Sequence, residues 1–202
     1  MFRGLDWGVL KVSKKLAREF GAPERAKKHV VFMQALLNKG IISQGDFQSI
    51  LDIGSSEGSF LLECKSVFKH IKTYGVEPGK NFRFLTQKLF TKVFSSVEEI
   101  PEKQTFDCIT MWHVLEHVSD PNKTMKEVAS RMSENSLFIF EVPDETRYNG
   151  IRPIHVDHTY HYSEETLKKF LQKAGLQFVE SSHEPQFLMD NIYGIKIVAR
   201  KS

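Results

Sequence analysis

The sequence has little cysteine, little excess charge and no long apolar run, and each of these absences excludes a class of protein. Only two cysteines, Cys64 and Cys108, occur in 202 residues. Both fall inside predicted apolar elements, so a disulfide framework is excluded and a reducing compartment is expected. No stretch approaches the roughly 18 apolar residues that a membrane span requires. The formal net charge of +3 is too mild to indicate nucleic-acid binding. We therefore expect a cytoplasmic protein without a membrane partner, and nucleic acid is disfavoured.

The apolar content of 41% in 202 residues suits one α/β domain with a sizeable core. Residues 1–22 carry scattered apolar side chains among lysines, which predicts a separate helical or lid segment. The remaining residues, 23–202, are predicted to form the domain itself. The oligomeric state does not follow from the sequence.

Short apolar runs alternate with helical patterns along the domain, and this alternation predicts an α/β fold with a mostly parallel sheet. Predicted helices, each marked by periodicity or by a start or stop residue, cover 23–38, 60–68, 80–90, 121–132 and 163–175. Predicted strands, recognised as short apolar runs, cover 50–53, 74–77, 92–94, 106–112, 137–142, 177–182 and 192–200. The last two strands are expected to form an antiparallel pair at the sheet edge.

The central feature is the run from Ile50 to Phe60, ILDIGSSEGSF, in which a strand, a glycine turn and a helix follow one another. Glycine tolerates positive φ and has no side chain, so such a turn lets the backbone approach a ligand closely. Glu77 ends the next predicted strand. An acid at that position can accept both ribose hydroxyls of a nucleoside. Together these features indicate a nucleotide site, although an ordinary βαβ turn remains an alternative for the glycine run alone.

The glycine spacing distinguishes between cofactors. A dinucleotide fingerprint needs G-x-G-x-x-G to receive a pyrophosphate, whereas Asp52 to Gly58 read D-x-G-x-x-x-G, with Ser56 where a middle glycine is common. This pattern resembles the first motif of class I S-adenosylmethionine-dependent methyltransferases, whose cofactor has no phosphate. The nicotinamide oxidoreductase reading is therefore the least favoured.

This resemblance spans roughly residues 47–199 and implies a Rossmann-like, seven-stranded, mostly parallel sheet with helices on both faces and the last strand antiparallel. It also implies S-adenosylmethionine as the cofactor. The positions that match the family's cofactor-binding segments are Asp52, Gly54, Ser55, Ser56, Gly58, Glu77, Pro78, Ser96, Val97, Trp112 and His113. Ser96 stands where the family often has an acid, so any adenine contact there must come from its hydroxyl or from backbone.

The segment HVLEHVSDP, from His113 to Pro121, resembles the branch that contains quinone-pathway O-methyltransferases and many sugar and polysaccharide-cluster methyltransferases. The resemblance places this segment between cofactor and acceptor. A histidine suits the removal of a hydroxyl proton at neutral pH, so His117 and His113 are the candidate catalytic residues. His117 has the alternative of a hydrogen-bonded residue at a helix start, and His113 that of a backbone contact to the methionine part of the cofactor.

The segment from Glu145 to Tyr162 is predicted to form the acceptor-binding wall. Its donors and aromatic faces suit a sugar, a nucleotide-sugar or a phenol, and they are supplied by Arg147, Tyr148, Arg152, His155, Tyr160 and His161. The alternative is that these side chains pack as a lid without touching the acceptor.

No metal is assigned, but one metal hypothesis follows from spacing. His113, Glu116 and His117 lie at i, i+3 and i+4, and His158 can return to them from the later segment. Small-RNA 3′-end methyltransferases bind a metal through an E-x-x-E-H run and a later D-H pair, and Glu116, His117, Asp157 and His158 resemble these. His113 replaces the first acid of that run. A divalent metal at Glu116, His117 and His158 is thus an option that is not favoured.

The sequence therefore predicts a methyltransferase that uses S-adenosylmethionine to methylate a small-molecule acceptor. The hydroxyl of a sugar, a polysaccharide precursor or a quinone-like phenol is the expected acceptor group. Two alternatives remain, an RNA or tRNA methyltransferase and a non-catalytic methyltransferase-like binding module.

Overall fold

The computed structural model describes residues 22–43, 47–148, 157–185 and 193–201. Two compact units make up the chain, Met1–Pro101 and Glu102–Ser202. The predicted helical or lid segment lies outside the described residues except for Ala22, so the boundary between 1–22 and 23–202 stays a prediction. Arg152 and His155 of the predicted wall also lie outside them.

The first unit alternates helices and parallel strands. Its elements are α1 (Ala22–Asn38), β1 (Ser49–Ile53), α2 (Ser59–Val67), β2 (Lys72–Val76), α3 (Lys80–Thr86) and β3 (Lys92–Phe94). Asp52 is in register with Gly75, and Gly75 with Val93, so the carboxyl ends of β1, β2 and β3 lie at one edge. In such sheets that edge is where ligands bind.

Helix α1 follows its sequence signals closely. It begins at Ala22, next to Pro23, and Gly40 adopts φ +73° just beyond its end. Its apolar face packs against α2, where the rings of His29 and Phe60 meet edge to face at 6.1 Å. The buried apolar side chains of this face are Ala26, Val30, Met33 and Leu36.

The predicted helix over 80–90 is wrong at its C-terminal end, because α3 stops at Thr86. The Thr86 hydroxyl donates to the Phe82 carbonyl at 2.8 Å, and Leu89 N–H closes a tight turn on the Thr86 carbonyl at 2.8 Å. Leu89 and Phe90 are buried, but from this turn rather than from a helix. Burial of apolar side chains does not by itself require helix.

The second unit contains longer strands. Its elements are β4 (Phe106–Trp112), α4 (Pro121–Ser130), β5 (Met132–Pro143), α5 (Glu164–Lys173), β6 (Leu176–Pro185) and β7 (Tyr193–Lys201). Asp120 caps α4 by accepting from Lys123 N–H, and Ser163 caps α5 by accepting from Thr166 N–H. Aspartate and serine are among the residue types that favour the N-cap position.

Strand β5 is longer than the predicted 137–142, and Met132 belongs to it rather than to the preceding helix. The register explains the difference, because Phe106 pairs with Met132 but Cys108 already pairs with Leu137. The extra residues of β5 are anchored by the Ser136 hydroxyl, which donates to the Phe106 carbonyl at 2.6 Å. Such an irregularity leaves no apolar pattern to reveal it.

The strands form one seven-stranded sheet in the order β3-β2-β1-β4-β5-β7-β6. Strand β7 runs antiparallel to both β5 and β6 and lies between them, so only β6 of the predicted terminal pair is at the edge. The predicted fold is confirmed as a mostly parallel sheet with an antiparallel last strand and flanking helices. Within the described residues, no helix is both long enough and apolar enough to cross a membrane.

Candidate functional site

The loop after β1 is built from positive-φ residues. Gly54, Ser56 and Gly58 have φ of +79°, +46° and +83°. Glycine adopts this region without strain, but Ser56 does not, and strained backbone at a strand end is a feature of ligand sites. The D-x-G-x-x-x-G segment thus contains three residues in the left-handed region, and only two of them are glycine.

Hydrogen bonds join this loop to the end of β2. Gly54 N–H and Ser55 N–H both donate to the Val76 carbonyl, at 2.8 and 3.0 Å. Ser56 N–H donates to Oε2 of Glu77 at 2.8 Å. Glu77 therefore positions the loop, a role that the sequence motif did not reveal.

Glu77 is buried, at 8% exposure. Its second oxygen, Oε1, accepts from Gly79 N–H at 2.6 Å, and Arg83 donates to the Glu77 carbonyl at 2.8 Å. A carboxylate has about four acceptor positions, so the two backbone donors leave room for further donors such as ribose hydroxyls. The carboxylate is held in place before any ligand arrives.

Close backbone approaches explain two of the loop's small residues. A Cβ on Gly58 would lie 2.5 Å from the Phe90 ring, and a Cβ on Gly75 would lie 2.6 Å from Ser55 Oγ. Ser55 Oγ is buried and has no hydrogen-bond partner among the described residues. The loop is therefore packed tightly against β2 and the segment after α3, and it retains one unused hydroxyl.

The turn after β3 contains an acid that the sequence reading missed. Glu99 accepts from Ser95 N–H at 2.8 Å and from the Ser95 hydroxyl, and these bonds lower its pKa. Ser96 immediately precedes the short 3₁₀ turn Val97–Glu99, and Val97 is buried. Glu99 thus shapes the turn, while an adenine contact by Ser96 or Val97 stays a prediction.

In the second unit, Trp112 ends β4 and His113 follows with φ +54°. His113 N–H donates to the Glu141 carbonyl at 2.9 Å, which carries the parallel pairing of β4 with β5 one residue beyond the strand. A histidine in the left-handed region is uncommon. At this position the side chain no longer follows the alternation between the two faces of the sheet. The predicted helical turn from His113 is therefore wrong, since only Leu115–His117 forms a 3₁₀ turn.

The His113 ring lies between two buried carboxylates. Its Nδ1 is 3.3 Å from Oε1 of Glu116 and its Nε2 is 3.6 Å from Oε1 of Glu141. Burial lowers the pKa of His113, but the bonds to Glu116 and Glu141 outweigh it and raise the pKa to about 9. His113 is therefore protonated at neutral pH, which suits a hydrogen-bond donor and not a general base.

The sequence analysis missed two charged residues of the cluster around His113, namely Glu141 and Lys196. Lys196 is 3% exposed and lies 3.8 Å from Oε2 of Glu141 and 2.6 Å from Oε2 of Glu184. Buried charges persist in proteins only when they are paired. A signal was present, because Glu141 and Lys196 each interrupt an apolar strand, in FIFEV and GIKIV.

His117 points to a different set of neighbours. Its Nδ1–H donates to the Asp157 carbonyl at 2.9 Å, and its ring lies 4.9 Å from that of His158. One ligand-type atom each from Glu116, His117 and His158 lies within 4.8 Å of the others. The structure thus brings together the three residues of the metal option and leaves His113 out of that group.

The described part of the predicted wall packs around this group. The Tyr148 hydroxyl is 3.1 Å from Nδ1 of His161, and the Tyr160 hydroxyl donates to the Ser119 carbonyl at 3.2 Å. Burial, followed by the nearby Glu116 charge, raises the pKa of Tyr148 to about 12. Arg147 is drawn elsewhere, to the Asp144 carboxylate at 3.4 Å and to the face of Tyr193. Tyr148 and His161 are therefore placed with the histidines, and Arg147 is not. Tyr160 lies beside Glu116, because its N–H donates to the Glu116 carbonyl at 3.3 Å.

A family model described as "Methyltransferase domain" matches residues 11–181, which is more than half of the chain. The chain belongs to this methyltransferase family. The prediction of a class I, S-adenosylmethionine-dependent methyltransferase is confirmed at this level, while the quinone and sugar branch stays a prediction. Family membership also excludes the nicotinamide oxidoreductase reading. Among curated proteins, none matches the sequence.

Solved structures of methyltransferases share the fold of this methyltransferase. The magnesium protoporphyrin IX methyltransferase from Synechocystis with bound SAH is 13% identical, with a TM-score of 0.67 over 91% of this chain and 84% of that one. A SAM-dependent methyltransferase from Archaeoglobus fulgidus is 22% identical, with a TM-score of 0.59 over 84% and 93%. One from Clostridium acetobutylicum is 14% identical, with a TM-score of 0.62 over 85% and 89%.

Proposed function

We propose that this methyltransferase transfers the methyl group of S-adenosylmethionine to a hydroxyl of a small-molecule acceptor, such as a sugar, a polysaccharide precursor or a quinone-like phenol. The observation that carries the proposal is the orientation of His117. A carbonyl can only accept, so the bond from Nδ1 to the Asp157 oxygen requires the proton on Nδ1. The neutral ring then has an unprotonated Nε2 that can take a proton from a hydroxyl.

The first unit supplies most of the cofactor-binding residues in this proposal, and the second unit supplies Trp112 and the His113 backbone. The prearranged Glu77 carboxylate suits the ribose hydroxyls, and the loop from Gly54 to Gly58 contributes backbone donors without a phosphate cradle. Bound S-adenosylmethionine supplies a methyl group on a positively charged sulfur. Pro78, Ser96, Val97, Trp112 and the His113 backbone complete the proposed set of contacts.

In the second unit, the acceptor hydroxyl is proposed to lose its proton to Nε2 of His117 as its oxygen forms the new bond to the methyl carbon. The carbon–sulfur bond breaks and its electron pair stays on sulfur, so the products are the methyl ether and S-adenosylhomocysteine. Protonated His113 does not compete for this proton. Instead it pairs with the buried carboxylate of Glu116, the residue before His117.

Transfer of radiolabelled methyl groups to a panel of acceptors tests this proposal. The panel contains sugars, nucleotide-sugars, catechols, other phenols and total tRNA, each in a separate reaction. Label in a small-molecule hydroxyl supports the proposal. Label in tRNA alone, with salt-sensitive binding, would establish the RNA alternative, and tight S-adenosylhomocysteine binding without any transfer would favour the binding module.

The role of His117 is tested by His117→Gln, with His70→Gln at an exposed position as the matched control. Loss of a general base lowers kcat by about 10²- to 10⁴-fold. The same variant should bind S-adenosylhomocysteine like the wild type, because His117 is not among the proposed cofactor contacts. An unchanged kcat in His117→Gln would remove His117 from the mechanism.

A further inference from the structure

We propose that His183 is a positioning residue for the methyl acceptor, because its ring ties together the two described ends of the predicted acceptor-binding wall. The proposal rests on the proposed function, in which this wall binds the acceptor, and on contacts within the second unit. The two ends are residues 145–148, which follow β5, and residues 157–162, which precede α5. His183 itself lies outside the wall, on the edge strand β6.

The His183 ring joins two carboxylates that flank the wall in the sequence. Its Nδ1 lies 2.8 Å from Oδ2 of Asp144, the residue directly before the first end. Its Nε2 lies 2.9 Å from Oε2 of Glu164, which begins α5 two positions after the second end. One ring on β6 therefore links a residue before the wall to a residue after it.

Asp144 carries this contact into the first end of the wall. Its side chain is fully buried, and its Oδ1 accepts from the Thr146 N–H at 3.0 Å and from the Thr146 hydroxyl at 2.6 Å. These bonds cap the short 3₁₀ turn Glu145–Arg147. Tyr148 follows the turn, and its hydroxyl lies 3.1 Å from Nδ1 of His161 in the second end. The position of Tyr148 therefore depends on where the Asp144 carboxylate is held.

The two ends also meet each other beside the proposed base. Glu145 N–H donates to the Tyr162 carbonyl at 3.1 Å, and Asp144 forms an isolated β-bridge with Tyr162. The Tyr162 hydroxyl donates to the carbonyl of Leu115, which begins the turn that contains His117. A shift between the two ends would therefore move the side chains of the wall relative to His117. Positioning of a reactant against a catalytic group is sensitive to such displacements.

Protonation of His183 determines whether both of its bonds form. The neutral ring has a single N–H, so one of the two carboxylates would then face a lone pair. The bond to Glu164, followed by that to Asp144, raises the pKa of His183, while burial and the charge of Arg147 oppose the rise. Lys168 of α5 also pairs with Glu164. The link is therefore complete below the ordinary histidine pKa and is lost as pH rises through the raised value.

Hydrogen–deuterium exchange of the full chain tests this link without any acceptor. In His183→Gln we expect amide exchange in residues 145–148 and 157–162 to be at least about fivefold faster than in the wild type. Exchange in α4, outside the wall, should not change, which distinguishes a local effect from a loss of global stability. Unchanged exchange in the two ends would overturn the proposal.

The pH dependence of exchange gives a second test that needs no folded variant. In the wild type, exchange of the two ends, corrected for the intrinsic effect of pH, should accelerate between about pH 6 and about pH 9. The same acceleration in His183→Gln would assign it to another group and overturn the role of His183. Lys168→Gln is the matched control, because it removes the other partner of Glu164 and leaves both contacts of His183. It should exchange like the wild type.

Steady-state kinetics test the positioning role with each acceptor of the panel that is methylated. His183→Gln should raise the KM for the acceptor at least about fivefold, with kcat and the KM for S-adenosylmethionine within about twofold of wild type. Lys168→Gln should leave all three unchanged. An unchanged acceptor KM in His183→Gln, despite faster exchange, would overturn the positioning role.

The two measurements separate this proposal from the proposed function. Methyl transfer to a small-molecule hydroxyl with unchanged exchange in His183→Gln retains the proposed function and overturns the role of His183. If no acceptor of the panel is methylated, the proposed function fails. Faster exchange in both ends would then still support the link between His183 and the wall, and unchanged exchange would overturn it.

Discussion

Ser56 donates its backbone N–H to Oε2 of Glu77 at 2.8 Å, across 21 residues of sequence. The bond joins the loop after β1 to the residue after β2, and Gly79 N–H occupies the other carboxylate oxygen at 2.6 Å. The side chain of Glu77 therefore shapes the loop, and in the proposed function its remaining acceptor positions bind the cofactor.

Glu77→Gln should weaken S-adenosylhomocysteine binding by at least about tenfold, which corresponds to about 1.4 kcal/mol. The amide has only one oxygen, so its NH₂ group must face one of the two backbone donors. We also expect a loss of about 1–3 kcal/mol in the free energy of unfolding. Calorimetry and urea unfolding measure the two effects, with the exposed Glu102→Gln as the control. Affinity within about twofold of wild type would contradict the assignment of Glu77 as a cofactor ligand.

Gly58→Ala should destabilise the protein more than Gly175→Ala, although both residues have positive φ, +83° and +72°. Each alanine incurs a backbone cost of about 1–2 kcal/mol. Only the Cβ at position 58 meets a neighbour, the Phe90 ring at 2.5 Å, whereas nothing lies within 4 Å at position 175. Overpacking adds about 1–3 kcal/mol at position 58, and urea unfolding measures the difference.

The double variant Gly58→Ala/Phe90→Leu provides the control for that prediction. If the Phe90 ring is the obstacle, the two substitutions together should cost less than the sum of their separate costs. Strict additivity would show that the backbone conformation alone accounts for the loss at Gly58.

His183 should make the stability of the protein fall as pH rises above about 6.5. Its ring bonds to Oε2 of Glu164 at 2.9 Å and to Oδ2 of Asp144 at 2.8 Å, and these two bonds raise its pKa. The two ring nitrogens of His183 can both donate a hydrogen bond only when the ring is charged. A raised folded-state pKa means that the stabilisation is complete below the unfolded pKa of about 6.5. It is lost as pH rises through the higher folded-state pKa.

Glu164, in the same cluster, should make the stability of the protein fall at acidic pH. Its bond to Lys168, followed by that to His183, lowers its pKa to about 2. Its stabilisation is therefore complete above the unfolded pKa of about 4.3 and is lost as pH falls towards 2. Unfolding free energies between pH 3 and pH 9 for wild type and His183→Gln test both slopes. A difference curve that is flat above pH 6.5 would contradict the role of His183.

His113→Gln should lower the free energy of unfolding of the protein by about 3 kcal/mol, because it removes the charged partner of buried Glu116. Glu141 keeps Lys196 as a partner, so most of the loss should arise at Glu116. The matched control is Lys169→Gln, which breaks an exposed pair with Glu165 and should cost far less, because solvent screens such pairs. Urea unfolding distinguishes the two, and equal losses would contradict the buried ion pair.

The double variant His113→Gln/Glu116→Gln checks the same interpretation. Removing both charges should be less destabilising than the sum of the single variants, since no unpaired carboxylate then remains at Glu116. An additive loss would mean that His113 stabilises the fold through its backbone conformation and not through its charge.

The sequence by itself determined the fold class, the element order and the residues of the first-unit loop. These features depend on local information, such as apolar runs, glycines at positive φ, the Asp120 and Ser163 caps and the acid after β2. Local interactions act within a few residues, so their signals are contiguous in the sequence. The early end of α3 escaped because Leu89 and Phe90 beyond it continue the apolar pattern. The irregular start of β5 escaped because residues 133–136 are polar and carry no apolar pattern.

The tertiary structure alone decided which residues each histidine contacts. The spacing of His113, Glu116 and His117 in HVLEH suggests that their side chains lie on one face. In the structure, positive φ at His113 turns its ring towards Glu141. His117 instead faces Asp157 and His158. Glu141, His158 and Lys196 are separated from this turn by 24 residues or more along the chain. Protonation and ligand geometry depend on which charges meet after folding, and no periodicity in the sequence encodes such distant partners.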